Sequence, residues 1–341
     1  MGNRRILFIT YHFPPLHSVA SLRTYAFARY LGEYGFEVTV ITPEKEPADC
    51  LMEMPPGLFR LVTVGGANAG PLRGGRNKSV NSGWNYRLKK FSATYVIGNL
   101  CTSADSWFGQ LHREAMLLAV NGNFDVVLST FSPISTHAVA WSLKGRFPGL
   151  CWIADYRDLW SGNDAAPSPM FPLSLLQSVA ERVLNARADM LLTVSSPLRD
   201  LLAQRYRRPV EVVENGFMPE DEEQRDIVPD FTRQYTFSYT GSIYRGRRDP
   251  EPFFVAIKEL FASGVLERRA VEVRFYGENS HILERQVAHH GLQDIVRLMP
   301  EVNRDLALAV QRHSIANLFL ECDEPASRGN LTGKLFEQLI S

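Results

Sequence analysis

Three short segments of the chain gather side chains suited to holding an anion or a sugar. The first is TGSIYRGRRDP at 240–250, where Gly241 and Ser242 follow an apolar run and Arg245, Arg247 and Arg248 precede a helical pattern. Backbone N–H groups at a helix start favour negative charge, and arginine adds two-pronged contacts to phosphate. The second is RGNLTGKLFEQL at 328–339. Gly329, Thr332 and Gly333 make a flexible turn at a helix start, a second place for an anion, and Glu337 follows about one turn on. A carboxylate there can accept two hydrogen bonds from a ribose diol. The third is ADYRDLW at 154–160, with Asp155, Arg157 and Asp158 at a strand's carboxyl end. Clustered charges in that position need partners, so they imply either a site or a salt-bridged crossover. For the first two segments the alternatives are a basic loop without a ligand and a capped helix with an exposed Glu. His137, on a helix among apolar neighbours, reads as structural.

Other chemistries are disfavoured. Neither turn carries the GxGxxG or Walker pattern, and no HExxH, GxSxG or Cys–His arrangement occurs. The four cysteines, Cys50, Cys101, Cys151 and Cys322, lie far apart with no metal spacing and read as reduced thiols. No metal and no cofactor are expected. Lys plus Arg number 37, and so do Asp plus Glu. That neutral total gives no sign of a nucleic-acid binder. No apolar run approaches the ~20 residues that span a bilayer.

The elements that must position these segments follow the α/β alternation. RILFIT at 5–10 suits a buried parallel strand. The loop YHFPPLHSVAS follows, with Ser18 or Ser21 as cap of a helix near 21–33, and Gly35 ends that helix. EVTVIT at 37–42 is a second strand. Further strands are expected at 124–130, 150–158, 189–195 and 209–216, with helices around His137, over 172–188 and from Pro197. In such a domain ligands sit beyond the carboxyl ends of the strands. Residues 217–234 are acidic, carry two prolines and read as a linker or surface excursion. A second run starts with strand 235–241. Helix 251–263, strand 271–277, a helix around 280–290, strand 295–300, helix 303–313 and strand 316–321 follow. The expected organisation is therefore α/β with an N-terminal Rossmann-like domain at 1–216, a linker at 217–234 and a partial C-terminal one at 235–341.

Residues 54–104 contain no Asp or Glu but seven basic residues from Arg60 to Lys90, interleaved with Trp84, Tyr86 and Phe91. They read either as a solvated loop followed by a surface helix or as a patch resting on an anionic membrane face.

In order along the chain, YHFPP with its helix, DVVLSTFSPISTH, ADYRDLW, Glu181 to ADMLLTVS, VVENGF, YTGSIYRGRRDP, RFYGE and NLTGKLFEQL resemble glycosyltransferase family 4. These are retaining sugar-nucleotide transferases of the GT-B fold, and the nearest flavour is the branch that builds bacterial surface polysaccharides. The resemblance implies two Rossmann-like domains facing each other, the C-terminal one taking the donor and the N-terminal one the acceptor. Arg247 or Arg248 matches the basic residue that holds the donor diphosphate. Glu337 matches the second Glu of a Glu-x7-Glu motif, the ribose binder. The backbone of Leu331, Thr332 and Gly333 would meet the diphosphate, and Gly241, Ser242, Gly277 and Lys334 complete the implied donor site. Tyr11, Pro14 and Arg23 would face the acceptor side. Arg157 and Asp158 would orient acceptor or sugar hydroxyls as the catalytic pair. The sequence departs from the family pattern at Gly329, where the first Glu of the motif would stand. It departs again at Ser18-Val19-Ala20-Ser21, in place of a glycine pair, and at Arg157, where many relatives carry His.

The function implied is transfer of a sugar from a UDP- or GDP-sugar to a lipid-linked or oligosaccharide acceptor. The protein would be cytoplasmic, at the inner face of the plasma membrane. A non-catalytic nucleotide-sugar-binding subunit and a GT-B epimerase are the alternatives. The sequence stops inside the helix that bears Glu337, so a C-terminally truncated second domain is expected.

Overall fold

The computed structural model describes residues 4–16, 18–45, 56–65, 100, 106–162, 168–219, 227–241, 243, 248–277, 281–320 and 333–341. The chain divides into two compact units, with the main break between Asn215 and Gly216.

The first unit is built on a seven-stranded sheet. Its strands are β1 (Arg5–Ile9), β2 (Glu37–Pro43), β3 (Phe59–Val64), β4 (Val126–Phe131), β5 (Cys151–Tyr156), β6 (Met190–Thr193) and β7 (Val210–Val212). They lie in the order β3-β2-β1-β4-β5-β6-β7, and every pairing is parallel. Ile6, Leu7, Phe8 and Ile9 are all buried, as a strand covered on both faces requires. The helices are α1 (Val19–Glu33), α2 (Phe108–Gly122), α3 (Ile134–Arg146), α4 (Leu173–Asn185) and α5 (Ser196–Tyr206). Strand order reverses direction between β1 and β4, which places the ligand crevice of such a sheet at the loops following those two strands.

Local sequence sets the helix limits. Ser18 caps α1, its Oγ accepting from the Ser21 amide at 3.1 Å. Gly35 follows the helix with φ of 86°, which favours glycine. Ser195 caps α5 in the same way, with Pro197 in its first turn. Helix α4 is inside out: Gln177, Glu181 and Asn185, one helical row, are 2%, 0% and 1% exposed. Leu175, Leu176, Val179 and Val183 lie exposed on the other face, while Ala180 and Leu184 pack half-buried against the core.

The second unit holds a four-stranded parallel sheet in the order β10-β9-β8-β11. The strands are β8 (Tyr235–Thr240), β9 (Val271–Tyr276), β10 (Val296–Met299) and β11 (Ala316–Asn317). The helices are α6 (Glu251–Ala262), α7 (His281–His290), α8 (Arg304–His313) and α9 (Gly333–Leu339). Phe254, Ile257, Val273, Phe275, Leu283 and Leu292 form its separate core. The order reverses between β8 and β11, so the loop after β8 lies at the reversal. Residues leading into β8 pack on this unit: Arg233 donates to the carbonyls of Val271 and Asp294, both at 2.8 Å.

Two sequence expectations change. Residues 59–64, expected in a loop, form β3 at the sheet edge, paired with β2 from Val38↔Phe59 to Pro43↔Val64. The strand expected at 316–321 is only Ala316–Asn317, although the Leu318 amide still donates to Ser238 O at 2.7 Å. Most of the acid-free 54–104 segment lies outside the described residues.

Candidate functional site

In the first unit the loop after β1 is tied down by backbone-directed hydroxyls. Thr10 and Thr24 both donate to the His12 carbonyl, at 2.9 and 2.5 Å. Lys45 Nζ donates to the Tyr11 carbonyl at 2.5 Å and lies 4.7 Å from the centre of the Tyr11 ring. Tyr11 is buried edge-on against Trp107, with ring centres 5.7 Å apart. Pro14 is half-buried, and the neighbouring Phe13 is buried against Tyr25 and Phe59. His12 as a residue is half-buried, but its Nδ1 is sealed and has no hydrogen-bond partner. Burial first, then the cations of Arg157 and Lys45, lower its pKa to about 3. At neutral pH it is therefore an uncharged imidazole beside two cations.

Arg23, expected on the acceptor side, turns inward. Its Nε and Nη2 donate to the two oxygens of Asp155 at 3.2 and 2.8 Å, and its Nη1 donates to Val213 O at 2.6 Å. The guanidinium is committed to protein partners and joins α1, β5 and the segment after β7. Asp155 is thereby the salt-bridged crossover. Arg157 and Asp158 pair with each other, with Arg157 Nε donating to Asp158 Oδ2 at 2.8 Å. They keep partial exposure at the carboxyl end of β5.

The segment bearing that pair is held from below by α4 and α5. Ser161 Oγ donates to Glu181 Oε2, and the Ser161 amide donates to the same oxygen at 3.3 Å. Arg205 Nη1 donates to Ser161 O at 2.9 Å, and Gln177 Nε2 donates to Trp160 O at 3.2 Å. Tyr156 OH donates to Asn185 Oδ1 at 3.1 Å. Burial pushes the Glu181 carboxyl up, against the pull of its hydrogen bonds and Arg205. Sequence reading missed Gln177, Asn185 and Arg205. The available signal was three polar residues spaced four apart on a helix whose opposite row is apolar. His137 is structural, as expected: it is fully buried, with Nδ1 2.8 Å from Ser129 Oγ, and burial lowers its pKa to about 3.

In the second unit the residues expected to hold the donor converge on the carboxyl end of β8. Gly241 has φ of 141°, a conformation that favours glycine, and a Cβ there would lie 1.6 Å from Lys334 Nζ. That same Nζ lies 4.9 Å from the centre of the Tyr239 ring. Gly277, at the end of β9, has φ of 139°. Glu337 lies on α9, its Oε1 3.5 Å from Arg304 Nε on α8. Helix α9 is fixed by Gln338 Nε2, which donates to Leu318 O at 3.2 Å. Gln311 links this edge to β8, its Nε2 donating to Thr240 Oγ1 at 2.6 Å. Gly241, Gly333, Lys334 and Glu337 thus come together through α8 and α9. Arg248 is half-buried just before α6. Ser242, Arg247, Leu331 and Thr332 lie outside the described residues.

At the start of α6, Asp249 Oδ1 accepts from the Glu251 amide at 3.0 Å. The first-turn carboxylate of Glu251 is itself 2.6 Å from His290 Nε2.

Comparison with known proteins gives a consistent frame. Residues 20–216 match the family model for a glycosyl transferase 4-like domain. No curated protein matches the chain by sequence. Among solved structures, sucrose-phosphate synthase from Thermosynechococcus elongatus is 14% identical, with a TM-score of 0.56 over 92% of this chain and 75% of that one. WaaG, a glycosyltransferase involved in lipopolysaccharide biosynthesis, is 15% identical, with a TM-score of 0.56 over 98% and 78%. An Escherichia coli structure described as trehalose-6-phosphate bound with UDP-2-fluoro glucose is 10% identical, with a TM-score of 0.60 over 98% and 81%. At these identities the likeness is one of fold.

Proposed function

Because the chain belongs to the glycosyl transferase 4-like family, we propose that this glycosyltransferase moves a hexose-type sugar, with retention, from a UDP- or GDP-sugar to a lipid-linked or oligosaccharide hydroxyl. The product would be part of a cell-surface polysaccharide. The observation that carries this reading is the cluster at the carboxyl end of β8, where Lys334 Nζ occupies the space a side chain at position 241 would need. A cation pressed against a side-chain-free backbone suits a diphosphate. Arg247, Arg248 and the amides of 331–333 would add charge-assisted hydrogen bonds to the leaving diphosphate. Groups already in place stabilise developing charge without reorganising during the reaction. Glu337 would take the ribose hydroxyls, with Arg304 orienting its carboxylate.

On the acceptor side the loop after β1 and the Arg157–Asp158 pair would meet the sugar or acceptor hydroxyls. Arg23 and Asp155 would position that region rather than touch substrate. No helix among the described residues is long and apolar enough to cross a membrane. A lipid-linked acceptor would be met at the cytoplasmic face of the membrane, with the basic 54–104 segment as one point of contact. One structural relative was solved with UDP-2-fluoro glucose, which makes UDP the first nucleotide to test.

The experiment is calorimetric titration with UDP and with GDP beside Glu337→Ala. A charge-assisted hydrogen bond contributes roughly 1.5–3 kcal/mol, so saturable binding of one nucleotide should weaken about ten- to a hundredfold in the variant. Unchanged affinity would remove Glu337 from the site.

A further inference from the structure

Helix α4 presents its apolar row to solvent. Leu175, Leu176, Val179 and Val183 are 57%, 57%, 48% and 51% exposed, and Met170 and Phe171 just before the helix are 55% and 80% exposed. This is not scattered surface apolarity, because the polar row of the same helix is the buried one. The stripe continues through Val183 into a groove of about 440 Å³ between α3 and α4, walled by Ala138, Trp141, Trp160 and Leu184. A contiguous apolar face of this kind marks an interaction surface.

The charges around it say what covers it. Across α3 and from α4 to Arg187 the sole carboxylate is Glu181, which is buried. Lys144, Arg146, Arg182 and Arg187 are the cations of the same stretch. Arg182 is exposed three residues on from Val179. Arg187 lies 3.7 Å over the Trp141 ring, at the groove. Lys144 is 2.8 Å from Asp189, whereas among the described residues Arg146, Arg182 and Arg187 have no carboxylate within ion-pair distance. Two copies of the chain pairing through this face would bring like charges together. An apolar stripe edged by cations fits an anionic lipid surface, with apolar side chains entering the acyl region and the arginines at the headgroups.

We propose that α4, with Phe171 and the adjoining groove, is the surface on which this protein docks to an anionic membrane. This deepens the lipid-linked acceptor reading above and rests on it, but moves the main contact from 54–104 to α4. The test is sedimentation of the full chain with vesicles of phosphatidylcholine alone or mixed with phosphatidylglycerol, for wild type, Leu176→Glu/Val179→Glu and Arg182→Glu. Wild type should sediment with the phosphatidylglycerol vesicles at low salt. The double variant should lose at least tenfold in partitioning, and Arg182→Glu should lose severalfold, with circular dichroism and thermal unfolding unchanged. Wild type remaining in the supernatant, or a folded double variant that binds equally well, would overturn the proposal. So would dimerisation by light scattering that the double variant abolishes, because the face would then be an interface between copies. UDP and GDP titration of the same variants keeps the two readings apart. Nucleotide binding without vesicle binding removes the membrane surface alone, and vesicle binding without nucleotide binding removes the donor site alone.

Discussion

Arg23 on α1 and Asp155 at the end of β5 form a buried two-point ion pair, although 132 residues separate them in sequence. Removing one partner strands the other charge away from water, which typically costs about 3–5 kcal/mol. Arg23→Met and Asp155→Asn should each destabilise the first unit by amounts in that range, read by urea unfolding. The double variant Arg23→Met/Asp155→Asn should lose less than the sum of the two. Additive losses would show that the pair is not coupled.

Glu181 should make stability depend on pH in one direction. Its native pKa is raised by burial, so the native state holds a proton that the unfolded chain has released. Its stabilising contribution is full below the ordinary value of 4.5 and declines as pH rises through the raised native value. Glu181→Gln should flatten that decline in urea unfolding from mildly acidic to neutral pH, because the amide can still meet Ser161. A wild-type profile without the decline would contradict burial as the dominant influence on this carboxyl.

His12 and His137 act in the opposite sense. Both pKa values are lowered from 6.5 to about 3, so the unfolded chain binds protons that the native state refuses. The stability is present above 6.5 and drains as pH falls from there toward 3. The slope is up to about 1.4 kcal/mol per pH unit for each imidazole. His137→Gln should remove roughly half of the slope from this pair. A slope unchanged in the variant would mean that His137 is reached by water in the native state.

Gly241 and Lys334 should fail together. Gly241→Ala forces a side chain into φ of 141° and onto Lys334 Nζ, a strain of order 1–3 kcal/mol. Thermal unfolding should register that loss. On the proposed reading, both Gly241→Ala and Lys334→Met should lower UDP or GDP affinity about tenfold, since each withdraws the cation from the diphosphate. Normal nucleotide affinity in Lys334→Met would place the cation outside the donor site.

Much of this architecture was legible from local patterns. The apolar run at 5–10 marked a buried parallel strand, VEVRFYG at 271–277 a strand of the second run, Ser18 a helix start and Gly35 a helix end. The segment after β8 stood out because three arginines sit between a strand and a helix. What escaped was tertiary in origin. The edge strand β3 is the exception: it carries the strand-favouring Phe59, Val62, Thr63 and Val64 but has only β2 to pair with, and it escaped because it lies inside the acid-free stretch 54–104, which reads as one block. Arg23 resembled a ligand-facing residue because its partner is far away in sequence. Helix α4 showed the helical period, but a period does not say which face is inside. Only the bonds of Glu181, Gln177 and Asn185 to neighbouring elements settle that.

The strand order also sets a schedule for biosynthesis. β1 leaves the ribosome well before one of its two neighbours, β4, with which it pairs through Ile6↔Val126. Until β4 emerges, β1 can pair only with β2, and its other edge waits with its hydrogen-bonding groups open. Long-range parallel pairing of this kind forms slowly, and an unpaired apolar edge invites association with other chains. A nascent chain halted before residue 126 should therefore depend on holding chaperones, whereas one halted after β5 can close its central strands.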